Sequence, residues 1–394
     1  MTPLQEIIDW LLATATRDEE TLAVVDGLLE RLNEAGVPVW RLSMSMPTVD
    51  PLLRGLSLIA WRDRPPSLDS AAHGAEGEAS FQASPIFFAQ SRGLLQYRWR
   101  LRRTEDADGL PMLLRLHGEG ATDYVLRLVS FGGERALANG AAFAMATDSP
   151  DGFDDRHLEV FDALIPTLGL VAKCFSLTRT TTEALRVYLG PRTSQRVLGG
   201  EIRRGSGQTI SAAVLIADLR GFTALADRTD PASVVRLLDD HFELIGAAVE
   251  AHDGEVLKFL GDGLLAIFPF TEDPASGRRA CDRALAAAEQ ALVGTSALEA
   301  DRTARGEPAL VLDIALNAGE VVYGNVGAAR RLDFTVIGSA VNEAARIEHL
   351  CEALDRNLLL SEPFARLCSR PTVEICRVAL RGLAGERSIR APAG

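Results

Sequence analysis

Two aspartates stand beside glycines at the ends of apolar segments in the C-terminal half of the chain. Asp218 follows the apolar run 211–217 and precedes Gly221, and Asp262 lies between two glycines that separate further apolar segments. This pattern predicts a buried strand that ends near Asp218 and a β-hairpin with Asp262 at its tip. Either aspartate alone is typical of an ordinary turn. Together, at one edge of a sheet, they can hold two divalent ions roughly 3.5–4 Å apart, as phosphoryl chemistry requires.

The residues just after Asp218 predict a place for phosphate. Gly221 allows a tight turn into a helix. The backbone amides of Phe222 and Thr223 would then point outward at the helix N-terminus, where an anion binds readily.

Three polar residues further along the chain suggest substrate contacts. Asn342 and Arg346 are four positions apart, so they share one face of a predicted helix. An arginine there can fork onto phosphate oxygens, although a surface ion pair with Glu343 or Glu348 is the alternative. Lys258 lies in an apolar strand, where its ammonium needs a partner such as a base nitrogen or a carboxylate. A structural lysine that extends to solvent is the other interpretation.

The composition excludes several classes of partner. The chain has 394 residues, of which 47% are hydrophobic and 24% charged, as is typical of a soluble protein with two or more domains. Its net charge of −13 repels nucleic acid and anionic lipid, so we expect neither nucleic acid nor a membrane as a partner. The longest apolar stretch, 163–172, is too short to span a bilayer, and the start shows no secretory signal. Five cysteines without a CxxC pair predict reduced thiols in a cytoplasmic protein.

The chain divides into four segments by sequence pattern, and together they predict an α+β fold. Residues 1–176 predict an α/β domain that opens and closes with helices around a set of strands. Residues 177–209 predict a helical linker, either passive or able to transmit strain between domains. Residues 210–385 follow the order β-α-β-β-α-β of a ferredoxin-like, split βαβ core. Residues 386–394 are predicted to be a tail.

Local patterns give more detailed expectations. Residues 19–35 predict an amphipathic helix, and Asp155–Cys174 predicts the helix that closes the first domain. Residues 62–80 are rich in Pro, Ser, Gly and Ala and predict a loop. The run Asn317-Ala318-Gly319 predicts a turn between two strands, 310–316 and 321–326.

The N-terminal segment resembles a GAF-like sensory domain. The resemblance rests on the order of helix, strands and closing helix after Pro150-Asp151-Gly152-Phe153. It implies a sensory or dimerisation domain with an unidentified small-molecule or protein regulator. An unrelated α+β domain is the alternative.

Four runs in the C-terminal half resemble the catalytic domain of class III adenylate/guanylate cyclases. In chain order they are ADLRGFT at 217–223, KFLGDGLLAIF at 258–268, GEVVYGNVG at 319–327 and DFTVIGSAVNEAAR at 333–346. The runs keep the order and spacing of the family, and the resemblance covers residues 205–385, about half of the chain. It implies an enzyme that cyclises a nucleoside triphosphate.

The resemblance implies a role for each matching position. Asp218 and Asp262 match the aspartates that bind two divalent metal ions, Mg²⁺ or Mn²⁺. The backbone carbonyl of Leu219 would complete the shell of one ion. Lys258 and Thr335 match the pair that reads the purine.

Further positions match residues that contact the sugar and the phosphates. Asn342 and Arg346 match the pair that orients the ribose and stabilises the pentavalent phosphorus. Arg381 falls where the family usually has a basic residue for the triphosphate, and Arg330 or Arg331 would add a phosphate contact. In the family, the metal-binding aspartates come from one protomer and the purine and ribose contacts from the other. A homodimer with two shared sites is therefore implied.

The purine-reading pair favours ATP as the substrate. Adenine offers an acceptor at N1 and donors at N6, which complement a Lys258 donor and a Thr335 hydroxyl acceptor. The expected reaction is attack of the ribose 3′-oxygen on the α-phosphorus, giving 3′,5′-cyclic AMP and pyrophosphate. A guanylate cyclase and a catalytically silent nucleotide-binding signalling module are the alternatives.

Overall fold

The chain forms two compact units, Met1–Ala184 and Leu185–Gly394. The computed structural model describes residues 2–16, 21–48, 50, 53–132, 140–307, 310–328, 331–383 and 385–393. Both units combine helices with a β-sheet, so the predicted α+β class is correct.

The N-terminal unit is built on a six-stranded antiparallel sheet with the strand order β3-β2-β1-β6-β5-β4. One face carries a core in which α1, α2 and α6 pack on the sheet, and the other face packs against α4 and α5. The elements are α1 (Pro3–Ala15), α2 (Thr21–Glu34), β1 (Arg41–Pro47), β2 (Leu53–Trp61), β3 (Ser67–Ala72), α3 (Ala75–Gln82), α4 (Pro85–Gln90), β4 (Gln96–Arg100), α5 (Pro111–Gly118), β5 (Asp123–Ser130), β6 (Gly140–Thr147) and α6 (Asp155–Leu189).

One local expectation for this unit is wrong, and another is confirmed. The predicted loop 62–80 is wrong, because it contains β3 and most of α3. β3 is an edge strand whose side chains are mostly exposed, so it lacks the apolar alternation that identifies a strand. The helix predicted over 19–35 is present as α2, and residues 19 and 20 lie outside the described part of the chain. The GAF-like assignment stays a prediction.

The closing helix α6 is longer than the predicted Asp155–Cys174, since it continues to Leu189. Its first half is a core element, with Phe161, Leu164 and Leu168 buried against the sheet. Within the described residues, α6 is long and apolar enough to cross a membrane by length and composition, a test that soluble core helices also pass.

The C-terminal unit has an eight-stranded sheet with the order β13-β14-β12-β10-β7-β9-β8, and β11 pairs with the far end of β10. Helices α9 and α10 cover one face, and α11 packs on the other. The elements are α7 (Pro191–Leu198), β7 (Gly207–Arg220), α8 (Phe222–Ala226), α9 (Pro231–Ala251), β8 (Glu255–Leu260), β9 (Gly263–Pro269), α10 (Ser276–Ala304), β10 (Val311–Ala328), β11 (Arg331–Ile337), α11 (Ser339–Glu348), α12 (Leu350–Leu354), β12 (Leu358–Ser361), α13 (Glu362–Leu367), β13 (Thr372–Ala379) and β14 (Glu386–Pro392).

The predicted break at 317–319 is wrong, because β10 runs through it and pairs with β7 from Val311 to Gly324. Asn317 is buried, and its side-chain amide donates to the Ala340 carbonyl of α11 at 2.8 Å. A Cβ on Gly319 would lie 3.0 Å from the Ala340 Cβ. These turn-forming residues therefore serve the close approach of α11 to the sheet.

The predicted tail, residues 386–394, instead contains β14. This strand lies between β12 and β13 in the sheet and buries Ile389 in a core cluster. The segment carries few apolar residues, because β14 sits near the sheet edge with part of its surface exposed. The sequence pattern therefore does not predict this strand.

Candidate active site

Asp218 and the Asp262 hairpin are brought together by strand pairing. In the register of β7 and β9, Ala217 lies opposite Leu264, so Gly263 comes next to Asp218. A Cβ on Gly263 would lie 2.7 Å from the Oδ1 atom of Asp218 and 2.6 Å from the Ala217 carbonyl oxygen. Glycine is required there because any side chain would push the hairpin away. The two sequence-predicted carboxylates therefore lie at the same end of the neighbouring strands β7 and β9.

No ion pair neutralises this carboxylate pair among the described residues. Burial raises the pKa of Asp218, the neighbouring Asp262 and Asp313 raise it further, and His349 lowers it. Burial also raises the pKa of Asp262. Within the described residues, neither carboxylate has an ion pair, and no group of three or more His, Cys, Asp or Glu has metal-binding geometry. Two partly buried acids without a cation, next to backbone carbonyls, fit a hard divalent ion.

Lys258 and Thr335, the predicted purine-reading pair, lie on β8 and β11, which contact each other. The ammonium group of Lys258 pairs with the carboxylate of Asp333. The expectation that this lysine needs a partner is therefore met by a residue that the sequence did not single out. Thr335 follows Asp333 by two positions on β11 and is only 6% exposed. Its Oγ1 atom has no hydrogen-bond partner among the described residues. A buried hydroxyl without a partner is able to bind a ligand group.

Asn342 and Arg346 lie on α11, one turn apart. Asn342 is exposed, and Arg346 makes no ion pair with any described residue. The surface ion pairs considered from the sequence are absent among the described residues, because Glu343 pairs with Arg387 and Glu348 pairs with His349. A free guanidinium suits an anionic substrate.

The loop that carries Arg381 passes beside Arg346. A Cβ on Gly382, the next residue, would lie 3.4 Å from an Nη atom of Arg346. Arg381 itself is exposed in this turn. Two guanidinium groups are thus placed in the same part of the surface.

The C-terminal region matches a known family model. Residues 206–379 match the model described as the adenylate and guanylate cyclase catalytic domain. The C-terminal unit is a cyclase catalytic domain of this family. The matched residues leave the N-terminal unit outside the family model.

Curated relatives match a little under half of this chain. An adenylate cyclase of Anabaena cylindrica is 34% identical over 174 residues, which are 43% of this chain and 33% of the relative. An uncharacterized protein of Mycobacterium tuberculosis is 40% identical over 164 residues, which are 42% of this chain and 27% of the relative. The chain thus matches a third or less of the length of these relatives.

Solved cyclases are among the structures that are similar to this chain. A bacterial light-regulated adenylyl cyclase has a TM-score of 0.50 at 14% identity, over 89% of this chain and 93% of that chain. A P. aeruginosa adenylyl cyclase has a TM-score of 0.44 at 23% identity, over 48% of this chain and 96% of that chain. A guanylyl cyclase has a TM-score of 0.42 at 27% identity, over 48% of this chain and 94% of that chain.

The other predicted site residues that the structure describes lie on β7, α8 and β11. Phe222 opens the five-residue helix α8 directly after Gly221, whose φ is 81°. The Phe222 side chain packs against the core, so only its backbone is available to a phosphate, while Thr223 is exposed. The side chain of Leu219 is buried in the same core, and its backbone carbonyl is the predicted ligand. Arg331 is exposed at the start of β11, and Arg330 lies outside the described residues.

A third carboxylate stands near the pair and was missed from the sequence. Glu348, at the end of α11, is 7% exposed. Burial raises its pKa to about 7, and the negative charges of Asp218, Asp313 and Asp262 add to the shift. The spacing along the chain gives no signal for this contact, because it arises only when α11 packs across the sheet.

A salt bridge supports the strand that carries Asp218. Arg220 donates from Nε and Nη2 to the two carboxylate oxygens of Asp313 at 2.8 and 2.7 Å. Asp313 lies opposite Asp218 in the β7–β10 register. This pair neutralises one of the acids near the candidate metal site of the cyclase domain.

Proposed function

We propose that this protein is an adenylate cyclase, which converts ATP to 3′,5′-cyclic AMP and pyrophosphate. The observation that carries the proposal is the partly buried carboxylate pair Asp218 and Asp262, which makes no ion pair among the described residues and lies at one end of the strands of a cyclase catalytic domain. Such a pair suits metal-assisted phosphoryl transfer, which is the chemistry of nucleotide cyclisation.

The chain offers ligands for two divalent ions, Mg²⁺ or Mn²⁺, in the carboxylates of Asp218 and Asp262 and the carbonyl of Leu219. When bound, such ions acidify the ribose 3′-hydroxyl and neutralise charge around the α-phosphorus. Arg346 binds oxygens of the reacting phosphate, and Asn342 orients the ribose. The 3′-hydroxyl loses its proton to solvent, the 3′-oxygen forms the new bond to the α-phosphorus in line, and the bond from the α-phosphorus to pyrophosphate breaks.

The hydrogen-bonding groups of Lys258 and Thr335 support adenine as the base. Lys258 donates, and the Thr335 hydroxyl, which has no partner among the described residues, can accept from the adenine N6 group. The adenylate cyclase of Anabaena cylindrica is among the relatives of this domain. Phe222, Thr223 and Arg381 are proposed contacts of the triphosphate.

A guanylate cyclase is the second candidate, and Asp333 is the observation that favours it. This carboxylate is paired with Lys258 and more than half exposed. It could accept hydrogen bonds from the N1 and N2 donors of guanine. A solved guanylyl cyclase is also similar to this domain.

The active enzyme is proposed to be a homodimer that shares its sites. Apolar side chains are exposed on the β8–β9 hairpin, next to Asp262, and on β10 and β11: Phe259, Leu260, Val322, Val326, Leu332 and Ile337. Exposed apolar patches of this kind commonly mark a protein interface. A second copy of the chain that covers them would be placed beside the candidate site.

The test is incubation of the purified full-length protein with ATP or GTP in Mn²⁺ or Mg²⁺, followed by chromatographic separation of the products. Cyclic AMP is the expected main product. Asp218→Asn should lower the rate by at least about 10³-fold, because a metal ligand is lost. The exposed Asp239→Asn serves as the matched control and should keep the wild-type rate. Cyclic GMP as the main product supports the second candidate, and the lack of any cyclic product supports a silent module.

A further inference from the structure

Arg41 is a buried cation without an acidic partner in the N-terminal unit. It is the first residue of β1, a central strand of the sheet, and is 3% exposed. Its Nη1 atom donates to the Ser43 hydroxyl at 3.0 Å. Its Nε atom is buried without a hydrogen-bond partner, and among the described residues Arg41 makes no ion pair.

The other neighbours of Arg41 compensate the charge only in part. The Tyr124 hydroxyl contacts the guanidinium, and the Trp61 ring lies 5.2 Å from it. Burial lowers the pKa of Arg41, and the positive charge of Arg115 lowers it further. Asp69 also acts on Arg41, but this residue is exposed on the edge strand β3 and forms no salt bridge with it. Buried charges in proteins are normally paired with an opposite charge, because desolvation is costly.

Arg41 shares its face of β1 with two serines, and Trp61 and Ala146 lie opposite it on the neighbouring strands. Along β1, Met44 and its alternate neighbours enter the core formed with α1, α2 and α6, which leaves Ser43 and Ser45 on the opposite face with Arg41. Ser45 shares a hydrogen bond of 2.7 Å with Ser57 on β2, and Ala144 on β6 lies opposite Ser43. Hydroxyls beside a guanidinium are suited to an anionic group, because both can donate to its oxygens.

We propose that the N-terminal unit binds a small organic anion, through a carboxylate or phosphate group that pairs with Arg41. The hydroxyls of Ser43 and Tyr124, which contact the guanidinium, complete the contacts. The proposal concerns the N-terminal unit and does not depend on the activity of the cyclase domain.

Stability measurements separate a ligand-binding arginine from a structural one. All four tryptophans, Trp10, Trp40, Trp61 and Trp99, lie in the N-terminal unit, so tryptophan fluorescence of the full chain follows the melting of this unit. Arg41→Met removes a buried, unpaired charge while keeping most of the volume. We expect its melting temperature to rise by about 3 °C without ligand.

Arg98→Met is the matched control. Arg98 forms a salt bridge with Asp123, whose side chain is 1% exposed. Its replacement leaves a buried carboxylate unpaired, so the melting temperature should fall by several degrees.

The ligand is probed with sodium phosphate and sodium acetate, each compared with sodium chloride at the same ionic strength. At least one of the two anions should raise the melting temperature of the wild type and leave that of Arg41→Met unchanged. A response to phosphate alone identifies a phosphate ligand, and a response to acetate alone identifies a carboxylate. The proposal is overturned if Arg41→Met loses stability as Arg98→Met does, or if neither anion distinguishes the wild type from Arg41→Met.

Discussion

In the cyclase domain, a buried hydroxyl without a partner among the described residues predicts a substitution that raises stability and lowers activity. The Thr335 hydroxyl is buried without a partner among the described residues. Thr335→Val keeps the shape and removes the orphaned group, so the free energy of unfolding should rise by up to about 1 kcal/mol. The same change should lower kcat/KM for ATP about tenfold or more, because the acceptor for adenine is lost. Urea unfolding and steady-state rates measure the two effects.

Thr295 provides the control for this experiment. Its hydroxyl is also buried without a partner, but it lies on α10, which packs on the face of the sheet opposite α11. Thr295→Val should therefore stabilise the protein without changing the rate. A Thr335→Val enzyme with full activity toward ATP would remove Thr335 from the purine site.

Glu348 predicts a pH dependence of stability in the metal-free protein. Burial raises its pKa to about 7 in the folded state, from an ordinary value of 4.5. The folded state therefore holds the proton more tightly, and the contribution of this group to stability is lost as the pH rises from 4.5 to about 7. Glutamine does not ionise, so the free energy of unfolding of Glu348→Gln does not fall over this pH range. Above pH 7 the variant should be more stable than the wild type, by on the order of 2 kcal/mol.

Unfolding by urea in EDTA, at pH 5 and at pH 8, measures this difference. The advantage of Glu348→Gln over the wild type should be small at pH 5 and large at pH 8. Glu352→Gln, at an exposed position on α12, should follow the wild type at both values. An advantage that is equal at both pH values would exclude the titration of Glu348 as its cause.

At the scale of elements, α7 is fastened to the cyclase domain by a buried polar network. The Thr193 hydroxyl donates to Oε1 of Glu255 at 3.0 Å, and the Tyr323 hydroxyl donates to Oε2 of Glu255 at 3.0 Å. Glu255 is buried at the start of β8, the strand that carries Lys258. Thr193→Val removes one of the two hydroxyl donors of this buried carboxylate, so the free energy of unfolding should fall by about 1–3 kcal/mol.

Far-UV circular dichroism in urea follows this unfolding, since the cyclase domain has no tryptophan. Thr181→Val, at an exposed position on α6, is the matched control and should leave stability unchanged. Equal stability of Thr193→Val and the wild type would show that the network does not anchor α7.

The elements that the sequence predicts well are those with a strong local pattern. The strand before Asp218, the hairpin at Asp262 and the long helix α9 all have apolar spacing that a single period explains. The break at 317–319 and the tail 386–394 are wrong because pairing with β7 and with β12 and β13 decides those strands. Long-range pairing of this kind overrides local turn preference.

The candidate site follows the same division. Lys258 needed a partner on physical grounds, but its identity as Asp333 depends on β11 crossing to β8. Glu348 and Arg41 show no local signal either, because their burial is decided by distant segments. The sequence therefore predicts which kind of interaction each residue needs. It does not predict which charged residues the fold brings into contact.

At the scale of the whole molecule, a shared site in a homodimer predicts that two inactive variants rescue each other. In an Asp262→Ala chain the metal ligands are damaged, whereas in an Arg346→Ala chain the phosphate contact is damaged. If each site takes metal ligands from one protomer and Arg346 from the other, a mixed dimer has one intact site and one doubly damaged site. Random mixing at equal amounts makes half of the dimers mixed, so about a quarter of the wild-type rate should return.

The rate is measured on the unseparated mixture after subunit exchange and on mixed dimers isolated with two different affinity tags, which should have about half of the wild-type rate. Asp218→Ala mixed with Asp262→Ala is the control, because both chains then lack metal ligands and every site is damaged. That pair should stay inactive. If isolated mixed dimers of Asp262→Ala and Arg346→Ala are as inactive as the control pair, each protomer builds its site from its own residues. The exposed apolar side chains beside the hairpin would then need another partner.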